Sequence, residues 1–264
     1  MRIIVMAGTS DAVNIMSIIS KLKDIEIIAT TTTKYGGDLA LASGADEVLV
    51  GALGSEELAH LIKQNHIDLI VDATHPFASE ATLNAIKSAN KTNIPYIRFE
   101  RPSIKLKPYS KMVCASDFDE AADIAINLIK NIDDGKIMHL AGVSTLPKMI
   151  KKVPGHSIIV RVLPGVYSIT KCLELGIPSK NIIAMQGTFS EEFNESMMKE
   201  YDVKLVVTKE SGNTGGTPSK IEAARKLDIP VVVVKRPKIS ELENKMIFSD
   251  IEGIVNQIKN FKIK

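Results

Sequence analysis

Four short motifs in the first half of this chain return in the second at nearly constant spacing. That repeat limits the possible folds more than any bulk property does. Ala7-Gly8-Thr9-Ser10 returns as Ala141-Gly142-Val143-Ser144, with Gly8 and Gly142 separated by 134 positions. Ile94-Pro95 and the later Arg101-Pro102 return as Ile229-Pro230 and Arg236-Pro237, a shift of 135. Residues 68–73 match 203–208, and Lys111-Met112-Val113-Cys114 matches Lys245-Met246-Ile247-Phe248. One match of this kind is unremarkable; four in one register argue for a duplicated unit.

Within each copy, strand-length apolar runs alternate with helical patterns. In the first copy the runs fall at 3–6, 25–29, 48–50, 69–71 and 96–99, with helical spacing over 11–22 and 55–63. Such alternation predicts a parallel, doubly wound sheet with the first strand near its centre. The expected α/β architecture is therefore two similar Rossmann-like parallel-sheet lobes, over 1–131 and 136–264. Asn131-Ile132-Asp133-Asp134-Gly135 would join them, and the active site would lie in the cleft between.

Composition removes several function classes. A formal charge of +2, with no basic run interleaved with aromatics, argues against nucleic-acid binding. Cys114 and Cys172 are too few for a disulfide scaffold and lack metal-ligand spacing, so no metal site is expected. No apolar run approaches the roughly 20 residues needed to span a bilayer. Arg2-Ile3-Ile4-Val5-Met6 reads as a strand rather than a signal peptide. A cytoplasmic enzyme with no membrane or nucleic-acid partner is expected.

The candidate site residues cluster at strand ends, where open α/β sheets hold ligands. Leu69-Ile70-Val71-Asp72 reads as a buried strand, and Thr74 is placed to cap a helix beginning near Pro76. This puts Asp72, Thr74, His75 and Phe77 at a ligand-facing end. Gly8, Thr9 and Ser10 form a strand-to-helix turn whose backbone can approach a phosphate, although one glycine is not a full dinucleotide fingerprint. After the second strand, where an acidic residue would hold a ribose diol, stand Thr31, Thr32, Thr33 and Lys34. These are donors that tolerate a 2′-phosphate. In the second copy the loop with Lys209, Ser211 and Gly212 offers N–H groups and a cation for an anion, though it equally fits a flexible connector. Arg161, with Arg98, Arg101 and Arg236, completes a basic lining. His60, His66, His139 and His156 share no spacing and read as structural, and Met197-Met198 reads as core.

Several of these segments together resemble the precorrin-6A reductases. They are Gly8-Thr9-Ser10, Thr31-Thr32-Thr33-Lys34-Tyr35-Gly36, Val71-Asp72-Ala73-Thr74-His75-Pro76-Phe77-Ala78, Arg101-Pro102, Arg161-Val162-Leu163-Pro164 and Lys209-Glu210-Ser211-Gly212. The sequence departs from the usual pattern at Ala7 and at Asp11-Ala12-Val13, where many members carry a further glycine and Glu-Gly-Arg. The resemblance implies reduction of one double bond of a corrin precursor in cobalamin biosynthesis. The cofactor would be NADPH, with metal-free substrate in the aerobic branch, or NADH, with the cobalt form in the anaerobic branch. It also implies substrate contacts from Thr74, Phe77, Arg101, Arg161, Lys209, Ser211 and Gly212. His75, or Asp72 through water, would supply a proton, since histidine titrates near neutrality. Two other functions remain open at this point: a reductase of another polycarboxylate, and a non-catalytic dinucleotide sensor.

Overall fold

The computed structural model describes residues 1–130, 132 and 135–262. The chain runs β1 (Arg2–Met6), α1 (Ser10–Ile19), β2 (Glu26–Thr31), α2 (Lys34–Ala42), β3 (Glu47–Val50), α3 (Ser55–Gln64), β4 (Leu69–Asp72), α4 (Ser79–Thr92) and β5 (Tyr96–Phe99). It continues through β6 (Met112–Ala115), α5 (Phe118–Ile129), β7 (Lys136–His139), α6 (Leu146–Ile150), β8 (Ile158–Val162), α7 (Val166–Glu174) and β9 (Ile182–Ala184). Then come α8 (Glu191–Glu200), β10 (Val203–Lys209), α9 (Thr217–Lys226), β11 (Val231–Val234), β12 (Met246–Phe248) and α10 (Ile251–Lys262).

Two six-stranded parallel sheets result, ordered β3-β2-β1-β4-β5-β12 and β9-β8-β7-β10-β11-β6. Each has the strand order of a dinucleotide-binding fold, with its reversal point beside its first strand. Burial follows position. The inner strands β1, β4 and β11 are mostly apolar and buried on both faces, whereas the edge strands β3, β9 and β12 have no fully buried residue. In the first sheet Ile3, Val5 and Val71 pack against α1 and α10, through Ile15, Met16, Ile254 and Ile258. Ile4, Met6 and Ile70 point the other way, onto Leu58, Ile62 and Ile86 of α3 and α4.

The duplication is visible element by element, but the compact units are not the expected halves. One unit is Met1–Pro102 with Lys238–Lys264; the other is Ser103–Pro237. The division expected over 1–131 and 136–264 differs from these in the sixth strand of each half. β6 pairs with β11, in register Val231↔Met112, and β12 pairs with β5, in register Met246↔Ile97. Each half thus gives its last strand and helix to the other sheet, an exchange of equivalent elements. Of the expected joint, Asn131, Asp133 and Asp134 lie outside the described residues.

A second difference is local. Thr74 does not cap a helix at Pro76: α4 begins at Ser79, with Ala78 at its N-cap. The Thr74 hydroxyl is already committed to the carboxylate of Asp72 at 2.7 Å. Among the described residues no helix is long and apolar enough to cross a membrane, and no acidic, His or Cys cluster could hold a metal.

Candidate functional site

In the first unit the site residues gather at the carboxyl ends of β1, β4 and β2. β1 ends in a turn at Gly8, whose φ of +103° suits glycine and where a Cβ would meet nothing within 4 Å. Thr9 then caps α1. Its hydroxyl accepts from Ala12 N at 3.1 Å and donates to Ala73 O at 2.7 Å, tying the β1 turn to the end of β4. This is the reversal point of the sheet, and Ser10 stands exposed beside it.

At the end of β2, Thr31 is buried and donates to Thr33 O at 3.0 Å. Thr33 caps α2 by accepting from Gly36 N at 3.1 Å. Gly36 and Gly37 are part of α2, where a Cβ on Gly37 would come within 3.1 Å of Val48 and Val50. Thr32, Thr33, Lys34 and Tyr35 are exposed. An open glycine turn, a capped helix start, and hydroxyls and a lysine after β2 fit a phosphorylated dinucleotide.

Asp72 is 0% exposed. Its Oδ1 accepts from Thr74 N at 3.0 Å, Thr74 Oγ1 at 2.7 Å and Arg98 Nη1 at 2.7 Å. Its Oδ2 accepts from Thr82 Oγ1 at 2.8 Å and Tyr96 OH at 2.7 Å. A carboxylate offers about four lone-pair positions, so five donors saturate it. The reading of Asp72 as a water-linked proton carrier is therefore corrected: it is an anchor, sealed from solvent. Arg98, 1% exposed, is also bonded to Glu100 at 3.0 Å. Burial works against its charge, but Asp72 and then Glu100 outweigh this and raise its pKa. Burial, then Asp72, pushes the Tyr96 phenol far up, so it stays a donor. Thr82 and Tyr96 escaped sequence reasoning, and Arg98 read only as basic lining, because their shared partner Asp72 lies 10 to 26 residues away.

Thr74, His75 and Phe77 lie on the partly exposed segment that follows. His75 Nδ1 accepts from Phe77 N at 3.1 Å, which puts the proton of the neutral ring on Nε2. The Phe77 ring is 5.8 Å from the imidazole. Arg101, expected to contact substrate, is ion-paired with Asp11 in the first turn of α1. A buried guanidinium needs a counter-charge, and Asp11 supplies it within the protein.

In the second unit Arg161 is not beyond β8 but within it, two residues after Ile159 on the face packed by α8 and α9. Its Nη1 donates to Asn194 Oδ1 at 2.9 Å, and its guanidinium lies 4.7 Å over the Phe189 ring. Burial lowers its pKa to about 10. Lys209 ends β10, and burial lowers its ammonium to about 8. The loop that follows is built around Thr217. The Thr217 hydroxyl accepts from Ser211 N at 3.0 Å and donates to Lys209 O at 3.1 Å. Ser211 and Gly212 are buried, with Gly212 at φ +79°, so the Ser211 N–H serves the loop itself. Arg236 is paired with Glu210.

Lys220, on α9, was missed by sequence reasoning. Its signal was its place on the buried stripe of Thr217, Ile221 and Ala224. His139 is fully buried, with Nε2 2.9 Å from Thr145 Oγ1, and burial pushes it down to about 4, so it is a neutral core residue. Met197 and Met198 lie on the buried face of α8, in the core.

A family profile described as "Precorrin-6x reductase CbiJ/CobK" matches residues 2–259. The chain is 44% identical over 259 residues to a cobalt-precorrin-6A reductase of Methanothermobacter thermautotrophicus, covering 98% of this chain and 83% of that one. It is 38% identical over 263 residues to the enzyme of the same name from Methanocaldococcus jannaschii, covering both chains completely. Among solved structures, CobK precorrin-6A reductase superposes with a TM-score of 0.78 at 18% identity, covering 98% of this chain and 97% of that one.

Proposed function

The chain belongs to the CbiJ/CobK precorrin-6x reductase family, and from that premise we propose that it uses a reduced nicotinamide to reduce cobalt-precorrin-6A in cobalamin biosynthesis. The full-length identity to enzymes named for that cobalt substrate carries the reading. A bound nicotinamide dinucleotide supplies the hydride. The protein's own task is to hold donor and acceptor in line and deliver a proton.

The open Gly8 turn and the capped start of α1 hold the pyrophosphate, with Thr9 and Ser10 beside it. Thr31 shapes the end of β2, while Thr32, Thr33 and Lys34 stand where the adenosine ribose lies in such folds. Lys34 is exposed and has no carboxylate partner among the described residues, so it is placed to meet a 2′-phosphate and favours NADPH. His75 Nε2–H gives the proton to the carbon next to the hydride acceptor. Phe77 steadies the ring, and Thr74, locked by Asp72 and Arg98, fixes the segment that carries both. Arg161 and Lys209 receive the carboxylates that fringe the macrocycle, with Ser211 and Gly212 holding the Lys209 loop in shape.

Incubating the protein with cobalt-precorrin-6A or precorrin-6A, each with NADPH or NADH, tests the reading by the loss of reduced-nicotinamide absorbance. Turnover of the cobalt form is expected, with NADPH above NADH if Lys34 meets a 2′-phosphate; NADH above NADPH would instead restore the pairing of the cobalt form with NADH that the resemblance implies. Binding of dinucleotide without turnover of either precursor would favour a sensor instead.

A further inference from the structure

Five guanidinium groups of this protein sit against carboxylates: Arg2 on Glu26, Arg98 on Asp72 and Glu100, Arg101 on Asp11, Arg225 on Glu222, and Arg236 on Glu210. Arg161 breaks that rule. It is 9% exposed, and its bonded protein partner is the neutral Asn194. A guanidinium has five N–H donors, and among the described residues only Nη1 finds an acceptor. Asn194, itself 0% exposed, cannot turn away, because its Nδ2 donates to Ser190 O at 2.7 Å and Phe189 O at 3.3 Å. Lys220 breaks the rule too. It is 8% exposed, and its Nζ donates to the Gly215 carbonyl at 3.0 Å, with no carboxylate in salt-bridge range among the described residues. The charged groups that bear on Lys220 are both cations, Arg161 from β8 and Lys209 from β10, while α8 contributes the neutral Asn194. Buried like charges repel unless an opposite charge compensates them. Among the described residues neither Arg161 nor Lys220 is paired with a carboxylate.

We propose that Arg161 and Lys220, backed by Lys209, form an anion pocket in the second unit that takes a carboxylate or phosphate group. Phe189, under the guanidinium plane, and Asn194, at its edge, leave the remaining donors of Arg161 to grip the anion. Lys220, released from its backbone carbonyl, completes the grip. Two sources offer this chemistry: an acetate or propionate arm of the corrin precursor, and the phosphates of the dinucleotide. In naming those two it rests on the reductase reading above.

The pocket has a second consequence. Burial, then Arg161 and Lys209, hold the Lys220 ammonium down at about 7, so in the empty protein it is largely uncharged above neutrality. An anion that favours the charged form draws a proton onto it as it binds.

Calorimetric titrations of the full-length protein at pH 8, in two buffers of different ionisation enthalpy, read that proton directly. The probes are cobyrinic acid, a corrin with free acetate and propionate arms, its methyl ester, NADPH, and inorganic phosphate alone. With a corrin carboxylate in the pocket, cobyrinic acid binds with uptake of nearly one proton and the ester with none. Lys220→Met then weakens the acid at pH 7 by about 30-fold or more, the scale for truncating one partner of a buried charge pair. Lys220→Arg keeps the affinity within a few-fold and abolishes the uptake, because arginine stays charged. Uptake with NADPH but not with the acid assigns the pocket to a cofactor phosphate. If Lys220→Met does not fold, proton uptake by the wild type decides alone. No uptake with cobyrinic acid, NADPH or phosphate overturns the proposal. Should the acid bind without uptake while NADPH and phosphate also show none, the pocket fails and the corrin reading stands. Should no corrin bind while phosphate binds with uptake, the pocket stands and the corrin reading fails.

Discussion

Replacing Asp72 with alanine removes the acceptor for five hydrogen bonds and leaves Arg98, 1% exposed, with Glu100 as its remaining carboxylate. Breaking a buried pair by deleting one partner costs about 3–5 kcal/mol. Tyr96 and Thr82 lose their shared acceptor in the same step, while Glu100 still partly compensates the guanidinium. About 4 kcal/mol is therefore expected for Asp72→Ala. Arg98→Met should cost less, about 2 kcal/mol, because Asp72 keeps four of its five donors. The double variant should cost less than the sum, with a coupling of about 2 kcal/mol, since each change removes the reason for the other's penalty. Urea unfolding followed by circular dichroism measures the three values. Hydrogen exchange at the amides of β4 and β5 localises the loss to the first unit. An Asp72→Ala cost below about 1 kcal/mol, or strict additivity, would refute the argument that this network is sealed and mutually dependent.

Three further outcomes are expected. His75→Ala should leave dinucleotide affinity unchanged and lower kcat by about 100-fold, the usual scale of a general acid; unchanged turnover in a single-turnover assay removes His75 from proton delivery. Lys34→Glu should weaken NADPH by about tenfold and NADH by less than about twofold, measured by fluorescence titration, because only the former carries a 2′-phosphate. Lys220→Met should stabilise the protein against urea by about 2 kcal/mol at pH 6, after allowing for the lost bond to Gly215, with the gain fading toward pH 10. The sign follows from the depressed ammonium. Near and below pH 7 the lysine is charged in both states and the native state carries the full burial penalty. Between there and the unfolded value the unfolded chain binds more protons, so native stability rises with pH.

The alternation of apolar runs and helical spacing was enough to specify parallel β/α architecture, since inner strands such as Val231–Val234 have no other way to bury both faces. The repeat likewise announced two sheets of one strand order. It could not announce the exchange of β6 and β12. In a duplicated chain the edge of either sheet suits either copy of the sixth strand, and the choice falls to the segments leading in. Pairing across sequence was equally silent. Arg98 and Arg101 look like free cations until the fold brings Asp72 and Asp11 to them, whereas Arg161 looks the same and stays without an acid. Thr74 reads as a helix cap because Ser, Thr and Asp cap helices, yet the nearer Asp72 outcompetes the helix for its hydroxyl. The Gly8 turn and the Thr31–Lys34 segment were legible because their chemistry is local to one strand end.

Hydride transfer from nicotinamide to a corrin precursor would leave an isotopic record in the product. Turnover of cobalt-precorrin-6A with nicotinamide dinucleotide deuterated at the transferable ring position, followed by mass spectrometry of the product, tests it directly. A single deuterium is expected in each reduced corrin, bound to carbon and retained in ordinary water. A product without label, or no reduced corrin at all, would contradict it.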